Sequence, residues 1–164
     1  MIQIKNFIDV KNKCKKLGCN LPTNLTILPR NFVSAESKDQ LLNEGTATTV
    51  KVLLRNAGIK ETPLEKTGEK INGIVEEGFD WIGPTLFLSS ALLMQNQLLI
   101  DLALGVIANY LTDFFKGIPD EKKNVKLNVV IETKTGNHKE VKYEGPVEGL
   151  KEVPKVVRSL HDEK

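Results

Sequence analysis

Few side chains in this 164-residue sequence are of types that make or break bonds or hold metals: Cys14, Cys19, His138, His161 and a scatter of carboxylates. Four residues separate Cys14 from Cys19, whereas a redox pair favours Cys-x-x-Cys, and neither histidine is near enough in sequence to complete a zinc set. Two such thiols are expected to stay reduced and inert, in a cytoplasmic setting. His138 falls in a predicted hairpin turn, where a solvated polar residue is expected. His161 is fourth from the end of the sequence, where fraying would defeat the geometry that catalysis requires. Glu76 and Glu77 pair two carboxylates, but adjacent helix residues point apart. Asp101 or Asp113 could act as a buried acid, yet neither has a base, nucleophile or metal partner at helical spacing. A Gly-rich phosphate loop, Gly-x-Ser-x-Gly and His-Glu-x-x-His are all absent from the sequence. These residues predict no catalytic site, no cofactor and no metal: the chain reads as a protein that is not an enzyme.

Composition narrows the class further. Hydrophobic residues at 40% with 27% charged describe an ordinary folded chain, and 5% aromatics argue against a stacking surface for bases or sugars. The net charge of +2 conceals an uneven distribution. Residues 1–20 carry Lys5, Lys11, Lys13, Lys15 and Lys16 against Asp9 alone, whereas residues 21–115 sum to −4 and residues 116–164 to +2. A basic start could meet phosphates. The alternative is a solvated helix face, because Ile4, Phe7, Ile8, Cys14 and Leu17 recur among the lysines at helical spacing. The first residues lack the long apolar core of a secretory signal.

The elements that must position any site follow from periodicity and punctuation. The first helix is expected to end at Gly18, with Pro22 soon after. Asn24–Leu28 reads as a strand closed by Pro29, which points to a sheet edge or a strand terminus. Ser37 and Gln40 have capping-box spacing, and a helix is expected from there through Asn56 with Gly58 as its stop; Val50–Leu54 could instead be a strand. Residues 60–78 are polar, with a short helix allowed by Ile71, Ile74 and Val75.

Residues 83–115 contain only two charges, Asp101 and Asp113. Gly83-Pro84 fits a helix start, followed by Leu86, Phe87, Leu88, Ala91, Leu92, Leu93 and Met94. After Gln95-Asn96-Gln97 comes a stripe of Leu99, Leu102, Ala103, Val106, Ile107, Tyr110, Leu111 and Phe114, opposite a narrow face of Gln97, Asp101, Gly105, Ala108 and Thr112. One long helix or two packed helices both fit this pattern. Asp101 and Asn109 either lie on the polar face or set register in a helix–helix contact. A helix this apolar is a core helix, an oligomer contact or a membrane element. From Val125 to Glu132 apolar and polar residues alternate, Thr135-Gly136-Asn137 turns the chain, and His138–Glu144 returns with Val141 and Tyr143 on one face. Val147, Leu150, Val153, Val157 and Leu160 then have helical spacing, with Pro154 bending or restarting the helix.

The expected fold is α+β, with the apolar helical region packed on a small antiparallel sheet that includes a C-terminal hairpin followed by a helix. Residues 1–77 form a helix-strand-helix element with a polar linker and residues 78–164 the hairpin unit, the two able to join in one compact domain.

The order of features from Gly78 onward resembles the small bacterial modules called effector-associated constant components. The matching features are the apolar run Trp81–Phe115, the charged connector Lys116–Asn124, the strand Val125-Lys-Leu-Asn-Val-Val with Lys-Thr-Gly-Asn, the strand Glu140-Val-Lys-Tyr-Glu-Gly, and the closing helix with Leu150, Val153 and Leu160. The resemblance covers about half the chain, residues 78–161, and implies an accessory, non-catalytic part in a bacterial conflict or signalling system. It assigns no catalytic residue.

The leading expectation is therefore an interaction or adaptor module. It would meet a protein partner, or a second copy of itself, through Leu99, Leu102, Val106, Tyr110 and Phe114. The alternative is a membrane-associating or membrane-disrupting protein using residues 81–115, whose uncharged run of twenty residues, Trp81–Ile100, approaches spanning length. Nucleic-acid binding through the basic start is a third, disfavoured reading. No small-molecule ligand is indicated.

Overall fold

The computed structural model describes residues 1–75, 78 and 80–163. Its backbone is α+β, with 39% helix and 25% strand. The centre is a nine-residue strand, β7 (Asn124–Glu132), whose hairpin partner is β8 (His138–Gly145). Alternation decides how β7 sits: Val125, Leu127, Val129 and Ile131 face a helix-covered core, while Val130 faces a second core on the other side. The closing helix α5 (Val153–Asp162) follows a 3₁₀ segment at Val147–Glu152, and Pro154 lies in its first turn, where a missing N–H is harmless.

Residues 2–6 are a strand, β1 (Ile2–Asn6), and not the first turns of a basic helix. It pairs antiparallel with β8, setting Ile2 against Tyr143 and Ile4 against Val141. Long-range pairing overrides the local helical spacing because the β-branched residues two apart find apolar neighbours across the ladder. The helix begins only at α1 (Val10–Leu17), where Asp9 caps the N–H of Asn12 at 3.0 Å. Gly18 ends it in the left-handed region with φ 74°. The next strand, β2 (Thr26–Leu28), lies at the sheet edge, the first of the two positions that Pro29 allows.

The expected helix from Ser37 to Asn56 is shorter and interrupted. Ser37 makes no side-chain cap; Gln40 Oε1 instead accepts the Glu36 N–H at 2.9 Å across one 3₁₀ turn. A short strand β3 (Leu42–Glu44) follows, and the helix proper is α2 (Ala47–Asn56), so Val50–Leu54 is helical. Gly58, at φ 76°, lies just past its end. Ile71 and Ile74 do not seed a helix: β4 (Asn72–Ile74) pairs in parallel with β3. The paired carboxylates Glu76 and Glu77 lie outside the described residues.

The largest departure is at the start of the apolar run. After β5 (Asp80–Ile82), residues 85–88 form β6 (Thr85–Leu88), a strand where helix was expected. It lies parallel to β7 between β7 and β2, with Leu86 and Leu88 in the helix-side core and Phe87 in the opposite one. A strand buried on both faces reads as a continuous apolar run and so imitates a core helix. Ser89 then caps α3 (Ser90–Gln95) by accepting the Leu92 N–H at 3.2 Å. Asn96 breaks the chain, its Oδ1 accepting the Leu98 N–H at 3.2 Å, before α4 (Leu99–Phe114).

The main sheet is mixed, in the order β1-β8-β7-β6-β2, with β5 parallel to the first part of β7. Strands from residues 1–77 and from 78–164 share it. Helices α2, α4 and α5 cover one face. Helix α1 and the loops carrying Phe32 and Leu64 cover the other through Val10, Cys14 and Leu17. Among the described residues no helix is long and apolar enough to cross a membrane. The uncharged run Trp81–Ile100 is divided between two strands, α3 and the first turn of α4.

Candidate functional site

The apolar residues of α4 divide into two sets. Leu99, Ile100, Ala103, Leu104, Ile107 and Leu111 are buried against the sheet and α5. Leu98, Leu102, Val106, Tyr110 and Phe114 are left outside this set, at constant four-residue spacing. Exposures are 69% for Leu98, 49% for Leu102 and 46% for Phe114, and Val106 and Tyr110 are half-buried. Each four-residue step advances about 40° around a helix, so the five side chains make an inclined ridge. Exposure is greatest at Leu98, is least at Val106 and Tyr110, of which Tyr110 packs against the core, and rises again at Phe114. Exposed Gly105 lies beside the ridge with open space above its Cα. Of the residues expected on one contact face, Leu102, Val106, Tyr110 and Phe114 lie on this ridge, whereas Leu99, 8% exposed, belongs to the core. Leu98 and neighbouring exposed Met94 were missed; the four-residue phase running back from Phe114 is the signal that points to Leu98.

Aromatic rings cluster at the far end of the ridge. The rings of Tyr110 and Phe114 have centroids 5.9 Å apart, and Phe114 meets Phe115 edge-on at 5.1 Å. There the ridge runs into a cleft of about 800 Å³ lined by Thr46, Ile74, Trp81, Tyr110, Phe114 and Lys126. Asp101 lies off the ridge and is paired with Arg158 of α5, so it ties two helices of the same chain together. Asn109 is exposed on α4.

One arrangement has the outline of a nucleophilic site. Ser90 Oγ lies 2.9 Å from His161 Nε2, and His161 Nδ1 lies 3.6 Å from Asp162 Oδ1. His161 is not frayed: it is buried, and its carbonyl accepts the Lys134 N–H at 3.2 Å. Three features oppose catalysis. The 3.6 Å gap is too long for the hydrogen bond that orients a catalytic imidazole. Lys134, 2.9 Å from Asp162, draws that carboxylate away and holds its pKa below the ordinary value. The Ser90 N–H, which such a site would turn on an oxyanion, donates to Glu132 Oε1 at 2.9 Å. The arrangement fits a structural clasp between α3 and α5. Accordingly, Ser90→Ala should lower stability by about 0.5–1.5 kcal/mol in denaturant unfolding. A fluorophosphonate probe should leave Ser90 unlabelled by mass spectrometry; stoichiometric labelling would overturn the clasp.

His138 also differs from the expected solvated turn residue. It is buried, its ring stacks on Phe87 at 6.0 Å with 12° between planes, and its enclosed Nε2 has no hydrogen-bond partner. Burial pushes its pKa below the ordinary 6.5, against the weaker opposing influence of Asp9 and Glu132. The folded chain therefore keeps the ring neutral, while the unfolded chain takes up a proton near pH 6.5. Stability from this group is full above that value and is lost as pH falls through it. Melting temperature should drop more between pH 7 and 5 in the wild type than in His138→Phe; parallel curves would refute this.

The remaining candidates are occupied or quiet. Cys14 and Cys19 are free and buried, and burial pushes the Cys14 thiol up to about 12, beyond useful thiolate chemistry. Lys13 Nζ donates to the carbonyls of Ala35 at 2.6 Å and Val33 at 3.2 Å, and Lys11 lies 3.8 Å from Glu132. These two lysines of the basic start thus serve internal contacts. Among the described residues no group of three His, Cys, Asp or Glu side chains could hold a metal ion. Comparison with family models, curated proteins and solved structures returns no match.

Proposed function

We propose that the chain is a non-catalytic interaction module that receives an apolar helix of a protein partner across α4. The observation that carries this reading is the ridge Leu98–Leu102–Val106–Tyr110–Phe114, left outside the core at four-residue spacing. Ridges of this kind pack into the grooves of a second helix at about −50°. Leu98 and Leu102, 69% and 49% exposed, lie about 40° apart around the helix and offer on the order of 200 Å² of apolar surface, with half-buried Val106 next in line. With Asp101 paired to Arg158, exposed Asp113 is the remaining charge of α4 and no lysine or arginine occurs between residues 81 and 115, which suits a partner helix with a basic residue near that end. Through the resemblance of residues 78–161 to effector-associated constant components, the role is that of an accessory or adaptor part in a bacterial conflict or signalling system.

A photo-reactive amino acid at position 102 or 106 should cross-link one protein partner in cells, and Leu98→Asp with Phe114→Asp should abolish the adduct. A probe at Lys155, exposed on α5, should give none. Equal cross-linking from all three positions, or none from 102 and 106, would overturn the reading. Flotation with vesicles that depends on the same side chains would replace it with a lipid surface.

A further inference from the structure

The two long edges of the main sheet are treated differently by the fold. The edge at β2 is covered: its three residues are buried, Thr62 N–H donates to Leu25 O at 2.9 Å, and Arg30 N–H donates to Leu42 O at 2.8 Å. The edge at β1 has β8 on one side and four exposed residues, Gln3, Ile4, Lys5 and Asn6. Natural edges are blunted by proline, bulges or several charges; β1 carries one lysine and none of the rest.

The ladder phase tells which backbone groups face outward. Met1 and Glu144 exchange both bonds, N to O at 2.6 Å and O to N at 3.0 Å, and Phe7 N–H donates to His138 O at 2.9 Å. Bonded positions alternate along an antiparallel pair, so Gln3 and Lys5 bond to β8. The N–H and C=O groups of Ile2, Ile4 and Asn6 therefore point to the open edge.

We propose that β1 pairs antiparallel with β1 of a second copy of this chain, about a two-fold axis through Ile4, joining the two sheets into one. This register alone matches all three outward residues: Ile4 with Ile4, and Ile2 with Asn6 in both directions. It also sets Lys5 opposite Gln3 of the second copy. An axis at Lys5 would put two lysines face to face, and an axis at Gln3 would leave Asn6 unpaired. Ile4, 49% exposed on the helix side of the sheet beside Val141, covers its equivalent across the axis. In this register the edge is complementary to itself, since every outward backbone group meets its symmetry mate and no like charges oppose one another, and the surface is separate from α4.

Sedimentation velocity up to about 500 µM, with amide exchange by NMR, tests the pairing at the affinity expected for a small contact. Wild type should dimerise, and protection of the Ile4 and Asn6 amides should rise with concentration while Gln3 and Lys5 are protected throughout. Ile4→Lys should weaken the dimer at least tenfold by opposing like charges. Gln3→Glu should tighten it several-fold in a salt-sensitive way by facing Lys5 of the second copy. Ile4→Pro removes only an outward N–H and should yield a folded monomer by circular dichroism. A monomer at every concentration overturns the proposal, as does a dimer indifferent to Ile4→Lys. Loss of the dimer on Leu102→Asp alone would move self-association to α4. Protection of Ile4 only on adding an unrelated extended peptide would replace the second copy with a strand from elsewhere. Cross-linking at position 102 reads the α4 reading separately.

Discussion

Phe87→Ala should lower the unfolding free energy by about 3–5 kcal/mol, whereas Phe114→Ala should lower it by no more than about 1 kcal/mol. Both residues belong to the same apolar run and would look alike on a hydropathy plot. Phe87 is fully buried in β6, packed with Val130 and Leu28 and stacked on His138. Its truncation leaves a cavity between the sheet and α1 and removes the ring that shields the unpartnered His138 nitrogen. Phe114 is 46% exposed, so solvent fills the space its ring vacates. Equilibrium urea unfolding with an unchanged slope measures the difference. Equal effects of the two substitutions would mean that Phe114 is a core residue and that the ridge on α4 is not a free surface.

Gly45→Ala should cost about 1–3 kcal/mol, the range for forcing atoms into a filled space. A Cβ at Gly45 would collide with the carbonyl oxygen of Ile74, with the carbonyl carbon at 3.3 Å and the Val75 Cα at 3.4 Å. These are backbone atoms, so no rotamer change relieves the contact. The parallel pair β3–β4 must separate, disturbing the wall of the cleft into which Tyr110 and Phe114 face. Gly105→Ala is the matched control. It meets open space and exchanges a poor helix former for the best one, so it should stabilise α4 by up to about 1 kcal/mol. Thermal melts of the two variants separate these outcomes, and an unperturbed Gly45→Ala would show that the close approach is not required.

Legibility varied with how local the determining interaction was. The hairpin β7–β8 was read closely because alternation, turn residues and partner all lie within about twenty residues. Helix ends at Gly18 and Gly58 followed from the backbone freedom of glycine. On α4 the sequence showed one broad apolar stripe, but burial cut it lengthwise: Leu99, Ala103, Ile107 and Leu111 face the core while the ridge faces out. Periodicity finds an apolar face; its width against the width of the supporting surface decides how much stays exposed. The clasp of Ser90 with His161 was invisible because 71 residues separate its members.

By itself, then, the sequence determined the α+β class, the hairpin and the helix after it, and an apolar segment larger than one side of a helix needs. Those are consequences of side-chain period and local backbone preference. Only the tertiary structure decided that residues 2–6 and 85–88 are strands. In both, the partner strand lies far along the chain: β8 for β1, and β7 for β6. Hydrogen bonds to a distant strand, joined in 85–88 by burial on two faces, outweigh local helical spacing, because each residue gains more from them than helix propensity differences supply. The same long-range pairing leaves β1 with one bonded side and one open side, a property written in the ladder and not in the period of the sequence.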